Sequence, residues 1–201
     1  MRRDFIYLAS ASPRRRELLE QIGVAFEVRV ADADETRLPD EEPERYVLRL
    51  ARTKAEAVSR ALAAPEHPVL AADTAVVLDG QVLGKPADEA DALDMLARLS
   101  GRTHRVHTGV ALCHAGTVDS TLATSEVRFR ATTPAERRAY CASGEPYGKA
   151  GAYAIQGRGA VFVERLCGSY SAVMGLPLHE VAELLRRVGL PAWLAAGRSR
   201  A

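Results

Sequence analysis

The chain has 201 residues, 47% hydrophobic and 26% charged, an ordinary balance for a globular domain with a sizeable core. Its formal net charge of +1 excludes a global field that would gather nucleic acid or an anionic membrane, so any anion site must come from a local cluster. Cys113, Cys141 and Cys167 are isolated and form no C-x-x-C pair, which argues against a disulfide framework or a zinc site and fits a reducing cytoplasm. No stretch reaches the roughly 18 apolar residues of a membrane span, and Ser10 breaks the first apolar run too early for a secretory h-region.

In chain order, "FIYLA" (5–9) reads as a short buried strand. Ser12 is placed as the N-cap of a helix with Pro13 at its first position, running through Leu18, Leu19 and Ile22 and stopped by Gly23. "VAFEVRV" (24–30) alternates as a half-buried strand. After the acidic loop "DADETRLPDEEPE", a long helix is predicted over 43–63. Its inner stripe is Tyr46, Val47, Leu50, Ala51, Lys54, Ala57, Val58 and Ala61. "PVLAADTAVVLDGQVLGKP" reads as strand, Asp79-Gly80 hairpin turn and short strand. Asp88 caps a helix ending near Ser100-Gly101. Two long strands follow, about 103–114 and 117–129, joined at Ala115-Gly116. Thr133, Pro134 and Glu136 form a capping-box signature. "VFVERL" and "SYSAVM" read as strands, and the last helix as 178–188. The pattern shows a single domain over 1–190 and a disordered tail over 191–201.

Four stretches and the acidic loop invite a chemical reading. In "LASASPRRRELL" (8–19), Arg14, Arg15 and Arg16 crowd a helix start, where the dipole disfavours cations. With the Ser10 and Ser12 hydroxyls and the first N–H groups they form an anion site, unless they are simply a solvated basic turn. Lys54 falls on an apolar stripe, where a lysine either snorkels to water or reaches an anion. Asp73 and Thr74 interrupt an apolar strand. A carboxylate there must be paired, hydrogen-bonded or metal-bound, or else cap a turn. Lys85 sits in the pinned loop "LGKP", which is not a P-loop. "GEPYGKAGAYAIQGRGA" (144–160) has five glycines around Lys149 and Gln156. It is either a flexible surface loop or a close ligand approach whose Gln156 amide reads a base edge. Asp32, Asp34 and Glu35 offer oxygen ligands for magnesium or manganese beside phosphates.

Together these stretches resemble the Maf family of nucleoside triphosphate pyrophosphatases. The matching segments are "LASASPRRRELL", "DADET" with "RLARTKA", "AADTAVVLDGQVLGKP", "LSGRTHRVHTGVAL" and "GEPYGKAGAYAIQGRGAVFVERLCGSYSAVMGLPLHEV". They occur in the family's order across most of 6–188, and five in series is highly specific. The "KAGAYAIQG" wording is similar to the branch acting on dTTP and UTP. The resemblance implies a Maf/ITPase-like α/β fold: a strongly bent mixed β-sheet flanked by helices, in two lobes with a central cleft. It also implies a homodimer, a cytoplasmic location and a divalent cation, Mg2+, Mn2+ or Co2+. By motif, Asp73 is the proton acceptor and a metal ligand. Glu35, rather than Asp34, is the other acidic ligand. Arg14, Thr74 and Gln156 match positions that influence substrate choice. Ser10, Arg15, Glu35, Lys54 and Lys85 match positions that handle the phosphates and metal.

The implied reaction cleaves dTTP or UTP, with modified pyrimidine nucleotides as further substrates, between the α- and β-phosphates to the monophosphate and pyrophosphate, which would limit misincorporation and bear on division arrest. The alternative is a nucleotide-sensing regulator of cell division without turnover. A nucleic-acid module is disfavoured by the near-neutral charge and the lack of interleaved basic and aromatic residues.

Overall fold

A computed structural model describes residues 5–30, 32–63 and 65–190; the expected tail at 191–201 lies outside them. The elements in chain order are β1 (Ile6–Leu8), α1 (Pro13–Gln21), β2 (Phe26–Val28), α2 (Pro43–Ala61), β3 (Val69–Leu78), β4 (Gln81–Leu83), α3 (Glu89–Leu99), β5 (Thr103–His114), β6 (Thr117–Phe129), α4 (Pro134–Ala142), β7 (Val163–Cys167), α5 (Tyr170–Met174) and α6 (Leu178–Arg187). The strands form a mixed seven-stranded sheet of order β2-β1-β3-β5-β6-β7, with β4 paired to β3. The α/β class with a mixed sheet flanked by helices is as expected. The chain divides into two units, one holding the residues up to Asp73, 108–123 and those from Gly175 on, the other 74–107 and 124–174.

In the first unit β1 runs parallel to β2 and to β3, with Tyr7 opposite both Glu27 and Val69. The alternation at 24–30 is real, but only Phe26–Val28 pair as strand, and Val30 is exposed instead of sharing an inner face. Small residues let α2 lie close to the sheet. Ala51, Ala55 and Val58 share a buried cluster with Ala9, Val69, Ala71, Ala111 and Cys113. The buried line of α2 runs Val47, Ala51, Ala55 and Val58, four residues at i, i+4, i+8 and i+11. Ala55 therefore belongs to the stripe, whereas Ala57 is half-buried and Ala61 exposed. Gly109 on β5 is required by this approach, since a Cβ there would sit 2.6 Å from the Val47 carbonyl oxygen. The start of α1 has Ser12 at the N-cap and Pro13 at the first position, as read. The Ser12 side chain makes no capping hydrogen bond, however.

In the second unit β3 turns through Asp79 and Gly80, both at positive φ, into β4, with Val77 opposite Val82. Asp88 caps α3 by accepting from the Asp91 N–H, and Thr133 with Glu136 closes a capping box on α4. β6 and β7 are antiparallel, with Val127 opposite Leu166. The core is aromatic: Phe129 meets Tyr153 edge-on at 4.8 Å between centroids, and Tyr140 meets Phe162 at 5.1 Å. "SYSAVM" is not a strand. Tyr170–Met174 is a helical turn because the Ser169 hydroxyl accepts from the Ala172 N–H at 3.2 Å. That local cap outweighs the β preference of Tyr170 and Val173. The glycine-rich stretch is not a flexible surface loop either, since Gly151 to Ile155 are buried.

Candidate active site

The first unit gathers cations and carboxylates from four segments. β1 delivers the chain to Ser10, which is buried at 6% exposure and lies just before α1. Its hydroxyl accepts from the Ser12 N–H at 3.2 Å and from Arg15 Nη1 at 3.0 Å. Arg15 Nε donates to the Gly175 carbonyl at 2.8 Å, so the guanidinium is held from two sides. Burial pushes the Arg15 guanidinium below its ordinary pKa, Asp73 opposes this, Arg14 adds to the lowering, and Glu35 opposes it again. Arginine stays charged regardless. Burial lowers Arg14 as well, against the pull of Glu17.

Lys54 does not snorkel to solvent. Its ammonium lies 2.6 Å from Asp73 Oδ1 and 2.8 Å from Glu35 Oε1. The Lys54 and Asp73 side chains are only 14% and 13% exposed. The sequence makes this possible in simple steps. Lys54 sits one turn from Leu50 on the face of α2 that meets the sheet. Asp73 interrupts a strand whose residues 69–72 are all buried. Two ions so shielded stabilise each other only while both are present, because removing one strands the other's charge.

Glu35 reaches Lys54 from an exposed loop, and the residues that hold the loop were not anticipated. Tyr46, read only as part of an apolar stripe, donates its hydroxyl to the Glu35 carbonyl at 3.0 Å. Arg49 grips Glu41 with two hydrogen bonds of 2.6 and 2.7 Å and donates to the Thr36 carbonyl at 3.0 Å. Asp34 serves the loop itself, accepting from the Thr36 N–H at 2.8 Å. The only sequence signal for this clamp was the pairing of an acidic loop with arginines on the next helix.

Thr74, Lys85 and Gln156 belong to the second unit. Thr74 is half-buried on β3, and Lys85 and Gln156 are exposed. The Gly151 N–H donates to the Gly84 carbonyl at 3.0 Å, which ties the Gln156 segment to the backbone beside Lys85. Thus Ser10, Arg15, Lys54, Glu35 and Asp73 are brought into direct contact or electrostatic reach of one another, with Arg14 beside Arg15.

Among the described residues no group of three or more His, Cys, Asp or Glu could enclose a metal ion. Glu35 and Asp73 do converge on one cationic nitrogen, however. Two hard carboxylates around a single cation suit magnesium or manganese, which takes one or two carboxylates and completes its shell with phosphates and water.

Fold and site thus define an α/β protein with paired cations and carboxylates suited to an anionic substrate. The family described as "Maf-like protein" matches residues 5–188, and the chain belongs to that family. A dTTP/UTP pyrophosphatase of Bordetella parapertussis is 56% identical over 192 residues, covering 92% of this chain and 93% of that protein. One from Aromatoleum aromaticum is 55% identical over 198 residues, covering 92% and 96%. The solved Staphylococcus aureus Ham1 protein overlaps at a TM-score of 0.45 and 17% identity, over 62% of this chain and 71% of its own. No helix among the described residues is long and apolar enough to cross a membrane.

Proposed function

We propose that this chain hydrolyses dTTP and UTP between the α- and β-phosphates, releasing the nucleoside monophosphate and pyrophosphate. One observation carries the reading: Lys54, on α2, contacts both Asp73 and Glu35 while Arg15 is locked beside Ser10. Its setting is a chain 56% identical to a dTTP/UTP pyrophosphatase. A triphosphate repels an attacking water, so the site must neutralise charge and orient the nucleophile in line. Arg15 and Lys54 supply fixed positive charge. Arg15 is already aimed by Ser10 and the Gly175 carbonyl, so little reorganisation is needed when phosphate arrives. Asp73 accepts the water's proton, and its Oδ1 contact with Lys54 fixes the orientation of the carboxylate. Lys85, at a motif position that handles the phosphates, adds positive charge.

Glu35 and Asp73 would hold a divalent cation, Mg2+, Mn2+ or Co2+, which supplies charge neutralisation at the phosphates and acidifies bound water. Arg14, Thr74 and Gln156 govern substrate choice. The Gln156 amide can accept from N3–H and donate to O4 of uracil or thymine, a pairing that cytosine reverses. Selection between thymine and uracil is weak because one methyl is worth only about 1–3 kcal/mol. A cytoplasmic homodimer completes the reading, with three unpaired thiols suited to a reducing compartment.

The test is a panel of dTTP, UTP, dCTP, dATP and dGTP, assayed with and without Mg2+ or Mn2+. Selective turnover of dTTP and UTP supports the proposal. Equal rates on all five, or selectivity for a purine, sinks it.

A further inference from the structure

The segment that carries Gln156 is held by a side chain with no role in the site described above. Glu145 follows α4. Its Oε1 accepts from the Tyr140 hydroxyl at 2.7 Å and from the Gly159 N–H at 3.0 Å, and its Oε2 accepts from the Arg158 N–H at 2.9 Å. The Tyr140 oxygen accepts in turn from the Ala154 N–H at 3.1 Å. One carboxylate and one phenol therefore satisfy backbone donors on both sides of Gln156. The turn between them closes through the Gly157 N–H, which donates to the Ala154 carbonyl at 3.2 Å. The fit is close: a Cβ on Gly157 would lie 2.4 Å from Glu145 Oε2, so any larger residue beside Gln156 would push the Glu145 carboxylate aside. Ile155 and Gly159 are buried while Gln156 is exposed, so the frame is packed and the amide is presented outward. Burial pushes the Glu145 carboxyl up, but the Arg158 N–H, the Tyr140 hydroxyl and the Gly159 N–H together hold it below its ordinary range.

We propose that Glu145 is a positioning residue for nucleobase selection, fixing with Tyr140 the turn through Ala154 and Gly159 so that the Gln156 amide is offered at one place. This rests on the reading of Gln156 as the group that meets the base. An exposed glutamine can turn its amide over about its last side-chain bond; what a fixed backbone supplies is the position of that amide, held where both of its groups can meet one base edge. A carboxylate is the right brace because it only accepts, and here it faces three donors. Glutamine at 145 would present an NH2 group to one of them, loosening the turn without emptying the space.

The experiment measures kcat/KM for dTTP and for dCTP with Glu145→Gln, Tyr140→Phe, Gln156→Ala and the Glu145→Gln/Gln156→Ala double variant. All are assayed well below their melting temperatures. The dTTP/dCTP ratio does not depend on the folded fraction, so a merely structural role would leave it unmoved. Gln156→Ala is expected to lower the ratio about tenfold. Glu145→Gln should lower it about fivefold, mainly through KM for dTTP with kcat little changed. Tyr140→Phe should act in the same direction and less strongly. In the double variant Glu145→Gln should add nothing, because the group it positions is gone. An unchanged ratio in Glu145→Gln and Tyr140→Phe beside a lowered one in Gln156→Ala overturns the positioning role and leaves the Gln156 reading standing. An unchanged ratio in Gln156→Ala overturns both. Additive losses in the double variant overturn the positioning role as well. Should Glu145→Gln fail to fold, Tyr140→Phe and its double with Gln156→Ala decide the question by the same criteria.

Discussion

The two units place charge in opposite ways. In the first, the ions face one another: Lys54 sits between Asp73 and Glu35, and Arg15 is locked beside Ser10. In the second, the Glu145 carboxylate is taken up by backbone N–H groups and a phenol, and the exposed amide of Gln156 rides on that frame. The first arrangement keeps ions paired with one another beside the phosphate-handling arginine. The second converts charge into backbone rigidity. Loss of Asp73 or Lys54 should therefore stop the phosphate chemistry, and loss of Gln156 or Glu145 should blur the selectivity.

The sharpest way to break that division is Asp73→Asn. Turnover of dTTP should fall about a thousandfold, within the range of a lost general base, while calorimetry still records nucleotide binding. Near-normal turnover would remove Asp73 from its role and leave the first unit without a base. Next in size is Lys54→Met, which strands two carboxylates, one of them largely buried. Urea unfolding should show a loss of about 3 kcal/mol, and adding Asp73→Asn should recover part of it. A loss under about 0.5 kcal/mol would make this pair no different from a surface ion pair.

Acid should probe the second unit selectively. His104 is 2% exposed, its Nε2 2.9 Å from the Tyr153 hydroxyl, and burial lowers its pKa from 6.5 to about 4. The unfolded chain takes up this proton near pH 6.5 and the folded chain only near pH 4. Stability from this group is complete above pH 6.5 and is lost as pH falls toward 4, by up to about 3 kcal/mol. His104→Phe should flatten the slope of unfolding free energy across that window, and an unchanged slope contradicts the assignment. The smallest effect is expected for Gln156→Ala, whose melting temperature should stay within about 1 °C of the parent because the side chain is exposed. A large drop would mean that Gln156 supports the fold and not only the ligand.

What could be read from the chain follows the same division. Lys54, Asp73 and Arg15 stood out because charge on an apolar face or at a helix start is costly without a partner. Helix ends with chemistry of their own, Asp88 and the Thr133–Glu136 box, were equally legible. Glu145, Tyr140, Tyr46 and Arg49 were not, since each spends its polar groups inside the protein and an acidic loop or a helical tyrosine has many bland uses. "SYSAVM" misled because Tyr170 and Val173 favour strands, while the deciding feature was the Ser169 hydroxyl bond to the Ala172 N–H. Ala55 was passed over for Ala57 because both are small. Ala55 is the one that packs into the buried cluster with Ala9, Val69 and Ala71.

The most direct measurement is product identity. Purified chain with Mg2+ or Mn2+ is incubated with dTTP and with UTP, and the products are separated by ion-exchange chromatography. The account predicts dTMP or UMP with an equal amount of pyrophosphate. Diphosphate with inorganic phosphate, or intact nucleotide after exhaustive incubation with either metal, would contradict it.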